Sequence, residues 1–368
     1  MRVLGFMSGT SLDAVDMAVL DTDGEAIAGF GPAGERKLSP ETRAQVQAAI
    51  ADALVWPRGA PEPASFAPAA RAIAEEHLAA ARGFMAANGL SAGDFDLVGF
   101  HGQTVLHERP SAERLGRTVQ LGDAALLARG LGIPVVYDLR QADVAAGGEG
   151  APLAPIYHAA LVRYSGVLPP AGVLNLGGVA NITLIGARED ALRAFDTGPA
   201  NGMIDLLVQE RGAGRFDDGG RLALAGAVDT AALQALLDHP YFAAVPPKSL
   251  DRYDFSLDPV RGLSLEDAAA TLTAFTVEAV RLAMLWLEAP NGLIVCGGGR
   301  HNPAIMAGLR AALPFPVRSA EDAGWRGDSI EAEAFAYLAA RCVRGLPISF
   351  PGTTGAPQPM TGGRIAEP

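Results

Sequence analysis

Two stretches far apart in the chain share one pattern, and that repetition restricts the possible folds more than any other feature. The first runs Val3-Leu4-Gly5-Phe6-Met7, breaks into Ser8-Gly9-Thr10-Ser11-Leu12-Asp13, and resumes as the alternating run Ala14-Val15-Asp16-Met17-Ala18-Val19-Leu20. The second runs Val173-Leu174-Asn175-Leu176, breaks at Gly177-Gly178, and resumes as Val179-Ala180-Asn181-Ile182-Thr183-Leu184-Ile185. Apolar alternation on both sides of a turn specifies a β-hairpin. Two such hairpins about 170 residues apart predict a duplicated domain, not a short-period repeat. A ligand is then expected between the halves, because pockets favour domain interfaces.

Between and after the hairpins, helical and strand patterns alternate. Ser39 and Pro40 signal an N-cap and first helical position, opening a helix to about Leu54. The proline-rich stretch from Trp56 to Pro68 reads as a loop, followed by a helix from Ala69 to Asn88. Leu97 to Phe100 and Ile133 to Tyr137 read as strands, and Val119 to Asp123 as the start of a helix. In the second half, Leu192 to Phe195 and Leu293 to Cys296 read as strands. Leu265 to Leu287, Asn302 to Leu313 and Ser329 to Arg344 read as helices. The tail after Phe350 reads as a meandering, partly disordered extension. The fold class is α/β with mixed sheets. Five strands end in small polar turns, beginning at Ser8, His101, Asn175, Asp196 and Gly297, and strand ends are where such sheets bind ligands.

The bulk properties exclude several classes. With 368 residues the chain is long enough for two domains. A net charge of −12 with scattered basic residues argues against a nucleic-acid surface, so any anion must be held locally. Cys296 and Cys342 do not make a disulfide framework, which fits a reducing compartment. The first strand begins near residue 3, leaving no room for a signal peptide, and no apolar run reaches the length of a membrane span. The expected protein is soluble and cytoplasmic.

The first turn carries the clearest chemistry. Gly9 lets backbone approach a ligand, the amides from Gly9 through Thr10, Ser11 and Leu12 can converge on an anion, and Asp13 and Asp16 can orient a hydrated metal. It is not a Walker loop, which needs a Gly-Lys-Ser/Thr ending. Asp196, in Phe195-Asp196-Thr197-Gly198-Pro199, is a rigidly held carboxylate at a strand end, or an Asx cap of that turn. The helix begun by Ala200-Asn201-Gly202 offers N-terminal amides to an anion. Gly297-Gly298-Gly299 leaves bare backbone for a flat group such as a nucleoside, or makes a tight strand-to-helix turn. His101 and Gln103 flank Gly102 without metal-ligand spacing. They read as hydrogen-bonding partners of a polyhydroxylated substrate, or as a satisfied buried histidine with its neighbour. Arg140 reads as a carboxylate-binding fork, or as an ion pair with Asp138 or Asp143. Pro246-Pro247-Lys248-Ser249 is either a recognition loop or a solvated lysine.

Taken together these motifs resemble the anhydro-N-acetylmuramic acid kinases, within the superfamily of acetate kinase, sugar kinases, heat-shock chaperones and actin. The resemblance spans nearly the whole chain. It rests on Met7 to Asp13 with Val15-Asp16, on His101-Gly102-Gln103-Thr104 and on Gln120-Leu121-Gly122-Asp123. It continues through Ala145-Ala146-Gly147-Gly148, Gly150-Ala151-Pro152-Leu153, Asn175-Leu176-Gly177-Gly178, Ala180 to Thr183, Phe195 to Pro199, Pro246 to Ser249 and Cys296 to Gly299. The chain departs from the family pattern at Glu149, Ala200, Leu250 to Tyr253 and around Thr353-Thr354-Gly355-Ala356.

The resemblance implies two actin-like (ribonuclease H-like) lobes with ATP and sugar in the cleft between them. The first lobe would cover 1–130, completed by a helix near 330–344, the second 131–350, and a tail 351–368. The implied reaction phosphorylates O6 of 1,6-anhydro-N-acetylmuramic acid while water opens the anhydro bridge, giving N-acetylmuramic acid 6-phosphate and ADP in cell-wall recycling. Asp196 would be the general base. ATP with Mg²⁺ would be held by Gly9, Thr10, Ser11, Leu12, Asp13, Ala14, Val15 and Asp16, with Gly177, Gly178, Gly198, Gly297, Gly298 and Gly299. His101, Gln103, Gln120 and Arg140 would face the sugar, Arg140 its lactyl carboxylate. No protein-only metal site, nucleic-acid or membrane partner is expected, and the family implies a homodimer. An ordinary amino-sugar or hexose kinase without ring opening is the alternative enzyme, and a nucleotide-switched binding protein the alternative class.

Overall fold

The computed structural model describes the chain except for Thr10, Ser11, Ala112, Glu189, Asp190 and residues 251–253. The chain separates into two compact units, Met1–Tyr164 with Ser329–Pro368, and Ser165–Asp328.

The first unit opens with β1 (Arg2–Met7), β2 (Ala14–Thr22) and β3 (Ile27–Lys37), an antiparallel meander in which Met7 lies opposite Asp16. Helices α1 (Pro40–Leu54) and α2 (Phe66–Ala87) follow, with Ser39 capping α1 through the Thr42 amide and Pro40 in the first turn. Next come β4 (Leu97–Phe100), the pair β5 (Gln103–Glu108) and β6 (Arg117–Leu121), α3 (Ala124–Leu131), β7 (Val135–Tyr137), α4 (Gln141–Ala145) and α5 (Pro155–Tyr164). β4 pairs parallel to β1, and β7 parallel to β4.

The second unit repeats this order. β8 (Ala171–Leu176), β9 (Val179–Ile185) and β10 (Leu192–Pro199) form the meander, and β11 (Leu293–Cys296) and β12 (Val317–Ser319) add parallel strands beside β8. Between them run α6 (Asn201–Glu210), α7 (Arg221–Ala225), α8 (Thr230–Leu237), α9 (Leu265–Ala283) and α10 (Pro303–Ala312). The chain then returns to the first unit with α11 (Ile330–Val343), α12 (Pro351–Thr354) and β13 (Arg364–Ala366), whose strand pairs antiparallel to β7. Each of the two larger sheets is a three-strand meander whose first strand also heads a parallel series, a mixed α/β arrangement.

Strand alternation explains the layering of the first unit. Phe6 points to a core shared with α2 and α3, where Phe66, Ile73, Phe100 and Leu127 are fully buried. Gly5, one position away, faces α11 on the other side. A β-carbon on Gly5 would sit 1.9 Å from the Ala332 carbonyl oxygen, and one on Gly99 would sit 2.3 Å from that of Phe335. Helix backbone therefore lies directly on strand backbone. In the second unit α9 fills the core with Leu272, Phe275 and Val280.

Four expectations change. The first unit extends past residue 130 to Tyr164, because β7 hydrogen-bonds into its sheet. Val119 to Leu121 is strand, not helix. Thr118, Val119 and Leu121 pair with β5, and Asp123 caps α3 by accepting from the Leu126 amide. The tail is ordered into the first unit through α12 and β13. Leu265–Trp286, with mean hydropathy 1.4, is long and apolar enough by composition to cross a membrane, contrary to expectation. Some 67% of that window is buried in the core, which accounts for its apolarity.

Gly5→Ala is expected to destabilise the protein by about 3 kcal/mol, since a backbone oxygen must move to admit the methyl group. Gly29→Ala, which meets nothing within 4 Å, should be neutral. Urea denaturation of both variants checks this, and equal midpoints would contradict the packing argument.

Candidate active site

In the first unit the turn after β1 is held by its own backbone and by the turn after β4. The Leu12 amide donates to the Gly9 carbonyl at 3.2 Å, and Leu12 adopts φ +56°, a costly conformation for a leucine. Gln103 Nε2 also donates to the Gly9 carbonyl at 3.2 Å, and Ser8 Oγ lies 3.5 Å from the Gly102 carbonyl. Gln103 is fully buried. Its Nε2 holds the Gly9 turn, while its buried Oε1 has no hydrogen-bond partner among the described residues. Asp13 is exposed, with Oδ1 accepting from the Ala14 amide at 3.0 Å. Ala14 and Val15 bury their side chains in β2, and Asp16 is half-buried at its start. Thr10 and Ser11 lie outside the described residues.

The turn after β4 opens onto a cavity of ≈ 330 Å³ in this unit, lined among others by Phe100, His101, Gln120, Tyr137, Asp138 and Gln141. Arg140 Nε donates to His101 Nε2 at 3.0 Å, so that nitrogen is the acceptor and the proton sits on Nδ1. Burial first, and the Arg140 charge second, hold His101 neutral, well below the ordinary histidine pKa. Arg140 Nη1 donates to the Gly150 carbonyl at 2.6 Å. Gln120 Nε2 donates to Thr118 Oγ1 at 2.7 Å and lies 3.2 Å from Thr104 Oγ1. Asp138 has φ +59°, and burial raises its pKa against the lowering effect of Arg364.

In the second unit the turns after β8, β10 and β11 meet. The amides of Ala200, Asn201 and Gly202 donate to the Gly177 and Gly178 carbonyls at 3.0–3.1 Å. The N-terminus of α6 is thus already engaged by the Gly177-Gly178 turn, which corrects the expectation that these amides receive an anion. A β-carbon on Gly297, at φ +74°, would lie 2.3 Å from Asn175 Oδ1, and one on Gly299 would lie 2.6 Å from Leu176 Cβ. The bareness of these two glycines is required by the end of β8. At Gly298 the nearest neighbour is 3.8 Å away, Asn201 Nδ2. Gly198 packs against Ala279 of α9.

Asp196 lies opposite Asn181, and Asn181 opposite Asn175, so three polar side chains stand abreast on β10, β9 and β8. The register shifts just after Asp196, before Gly198. Such a bulge re-aims side chains. Asp196 Oδ2 accepts from the Leu250 amide at 2.8 Å, its amide donates to the Lys248 carbonyl at 2.9 Å, and its carbonyl accepts from Tyr241 Oη at 2.5 Å. Lys248 is not a solvated lysine. Nζ donates to the Tyr241 carbonyl at 2.8 Å and lies 4.3 Å from the Tyr241 ring centroid, and burial lowers its pKa to about 8. Asn175, Asn181, Tyr241 and Lys248 were not among the site residues expected from sequence. The two asparagines were visible in its motifs, but their alignment with Asp196 depends on register.

A family model described as "Anhydro-N-acetylmuramic acid kinase" matches residues 1–368. The chain belongs to that family. It is 69% identical over 366 residues to the anhydro-N-acetylmuramic acid kinase of Caulobacter vibrioides, covering 99% of this chain and 98% of the relative. It is 66% identical to that of Phenylobacterium zucineum, with 100% of both covered. Among solved structures, the activator of the 2-hydroxyisocaproyl-CoA dehydratase from Clostridium difficile aligns with 94% of this chain and 96% of its own, at 10% identity and a TM-score of 0.46.

Among the described residues no group of three or more His, Cys, Asp or Glu could hold a metal by itself. Mg²⁺ as a rule keeps several waters and binds through one or two carboxylates plus substrate phosphates. Exposed Asp13 and half-buried Asp16 beside the Gly9 turn supply carboxylates of that kind.

Burial lowers His77, His107 and His158 from 6.5 to about 4, with Arg140 and Arg109 contributing at His107. The unfolded chain protonates these groups near pH 6.5, so between about 6.5 and 4 it binds more protons than the native state. Their contribution is complete above pH 6.5 and is lost as pH falls through that window. Asp205 acts in the opposite sense. Burial and Asp217 raise it to about 6, and burial raises Asp138 as well, but these are two groups against four lowered histidines, His101 included. The urea midpoint should therefore fall from pH 7.0 to pH 5.0, and a flat or rising profile would contradict the buried neutral histidines.

Proposed function

We propose that this member of the family opens 1,6-anhydro-N-acetylmuramic acid hydrolytically and phosphorylates O6 from ATP, with Asp196 as general base. Water is a weak nucleophile, and a fixed carboxylate that takes its proton as it attacks the anomeric carbon is worth roughly 10²–10⁴-fold. The C1–O6 bond breaks, O6 attacks the γ-phosphorus, and ADP leaves. The products are N-acetylmuramic acid 6-phosphate and ADP. Because the phosphoryl group captures O6, one carboxylate suffices where an inverting glycosidase uses two.

The observation that carries this reading is the clamping of Asp196. Its amide, carbonyl and Oδ2 each have a partner from the segment 241–250, at 2.5–2.9 Å. This fixes the carboxylate beside Asn181 and Asn175. In the first unit His101, Gln120 and Arg140 bind the sugar, and Arg140 takes the lactyl carboxylate. Gln103 positions the Gly9 turn, whose amides receive the phosphates of ATP. Asp13 and Asp16 orient Mg²⁺, which supplies charge neutralisation at the phosphates when bound. The glycines at 177, 178 and 297–299 provide backbone to the nucleoside. The enzyme works in the cytoplasm as a homodimer.

Asp196→Asn should lower turnover by about 10³-fold with the KM for the sugar changed less than severalfold. Turnover in ¹⁸O-labelled water should place the label on the anomeric hydroxyl of the product. Near-parental turnover in the folded variant would remove Asp196 as base, and an unlabelled product would point to simple phosphorylation of an existing hydroxyl.

A further inference from the structure

The tail after α11 reaches back to the loop 148–150 through one buried carboxylate. Asp143, on α4, is 2% exposed. Its Oδ1 accepts from Ser349 Oγ at 2.5 Å and from Thr354 Oγ1 at 2.6 Å, and its Oδ2 accepts from the Gly150 amide at 2.7 Å. The Glu149 amide donates to the Thr354 carbonyl at 2.7 Å. Gly148 runs so close to this carboxylate that a β-carbon there would lie 2.3 Å from Oδ2. The loop 148–150 is thus fixed on one side by Asp143 and on the other by the tail. Gly150, at φ +72°, turns its carbonyl to Arg140 Nη1 at 2.6 Å, and Arg140 Nε reaches His101 at the cavity wall.

From this chain of contacts we infer that Ser349 and Thr354, acting through Asp143 and the Gly150 carbonyl, are positioning residues that set the Arg140 fork for the carboxylate of the sugar. The inference rests on the sugar-binding assignment of Arg140 made above. The three donors on Asp143 are short, and hydrogen bonds to a charged acceptor are about twice as strong as neutral ones. Each lost donor leaves a buried carboxylate oxygen under-satisfied, and the loop then relaxes toward water. The consequence falls on the orientation of Arg140, because its partner is a carbonyl of that loop.

Steady-state kinetics of the full chain with ATP and 1,6-anhydro-N-acetylmuramic acid test this. Thr354→Val keeps the shape and removes the donor. It should raise the sugar KM about tenfold, with kcat and the KM for ATP within about twofold. Thr354→Ser should restore the parental value. In an Arg140→Ala background Thr354→Val should add no further increase, the signature of action through that residue. Should Thr354→Val fail to fold, Ser349→Ala gives the same measurement. A raised KM in Arg140→Ala with a parental KM in Thr354→Val, or fully additive effects, overturns the positioning role alone. An unchanged sugar KM in Arg140→Ala overturns the assignment of Arg140 and the inference with it.

Discussion

Direct contact of backbone with backbone, made possible by glycine, is the constraint on which this structure depends. In the first unit α11 lies on β1 and β4 because Gly5 and Gly99 present no side chain. In the second, the ends of β8 and β11 close on each other at Gly297 and Gly299, and α6 docks on the Gly177-Gly178 carbonyls with Gly202 against Gly178. A methyl group at any of these points would push apart the elements whose ends carry polar turns. Close packing of this kind tolerates little volume change, so the turns inherit the rigidity of the sheets.

That rigidity has chemical use. In the proposed mechanism Asp196 is the general base, which must keep its position while water and sugar come and go, and it is held by the Lys248 carbonyl, the Leu250 amide and the Tyr241 hydroxyl. The Gly9 turn is held similarly, by its own Leu12 amide and by the buried amide of Gln103. Arg140 is held in a like way, with Nη1 donating to the Gly150 carbonyl and Nε to His101 Nε2.

Several readings failed for one reason: hydrogen-bond partners distant in sequence leave no local trace. The amides at the start of α6 resemble an anion site until the Gly177-Gly178 carbonyls are seen to occupy them. Val119 to Leu121 has no strong strand pattern of its own and becomes strand by pairing with β5. The Gly- and Pro-rich tail looked unstructured because its order comes from β7 and Asp143, not from its own periodicity.

By itself the sequence determined the two hairpins, the mixed α/β class, the helix starts at Ser39 and Asn302, and the motifs that mark the family. These are written in local periodicity, capping residues and short motifs. Only the tertiary structure decided that the first unit runs to Tyr164 and takes back the C-terminal tail. It alone aligned Asp196 with Asn181 and Asn175, and linked Thr354 to Arg140. Strand register and long-range hydrogen bonds between strand ends are properties of the assembled sheet, and no stretch of chain contains them.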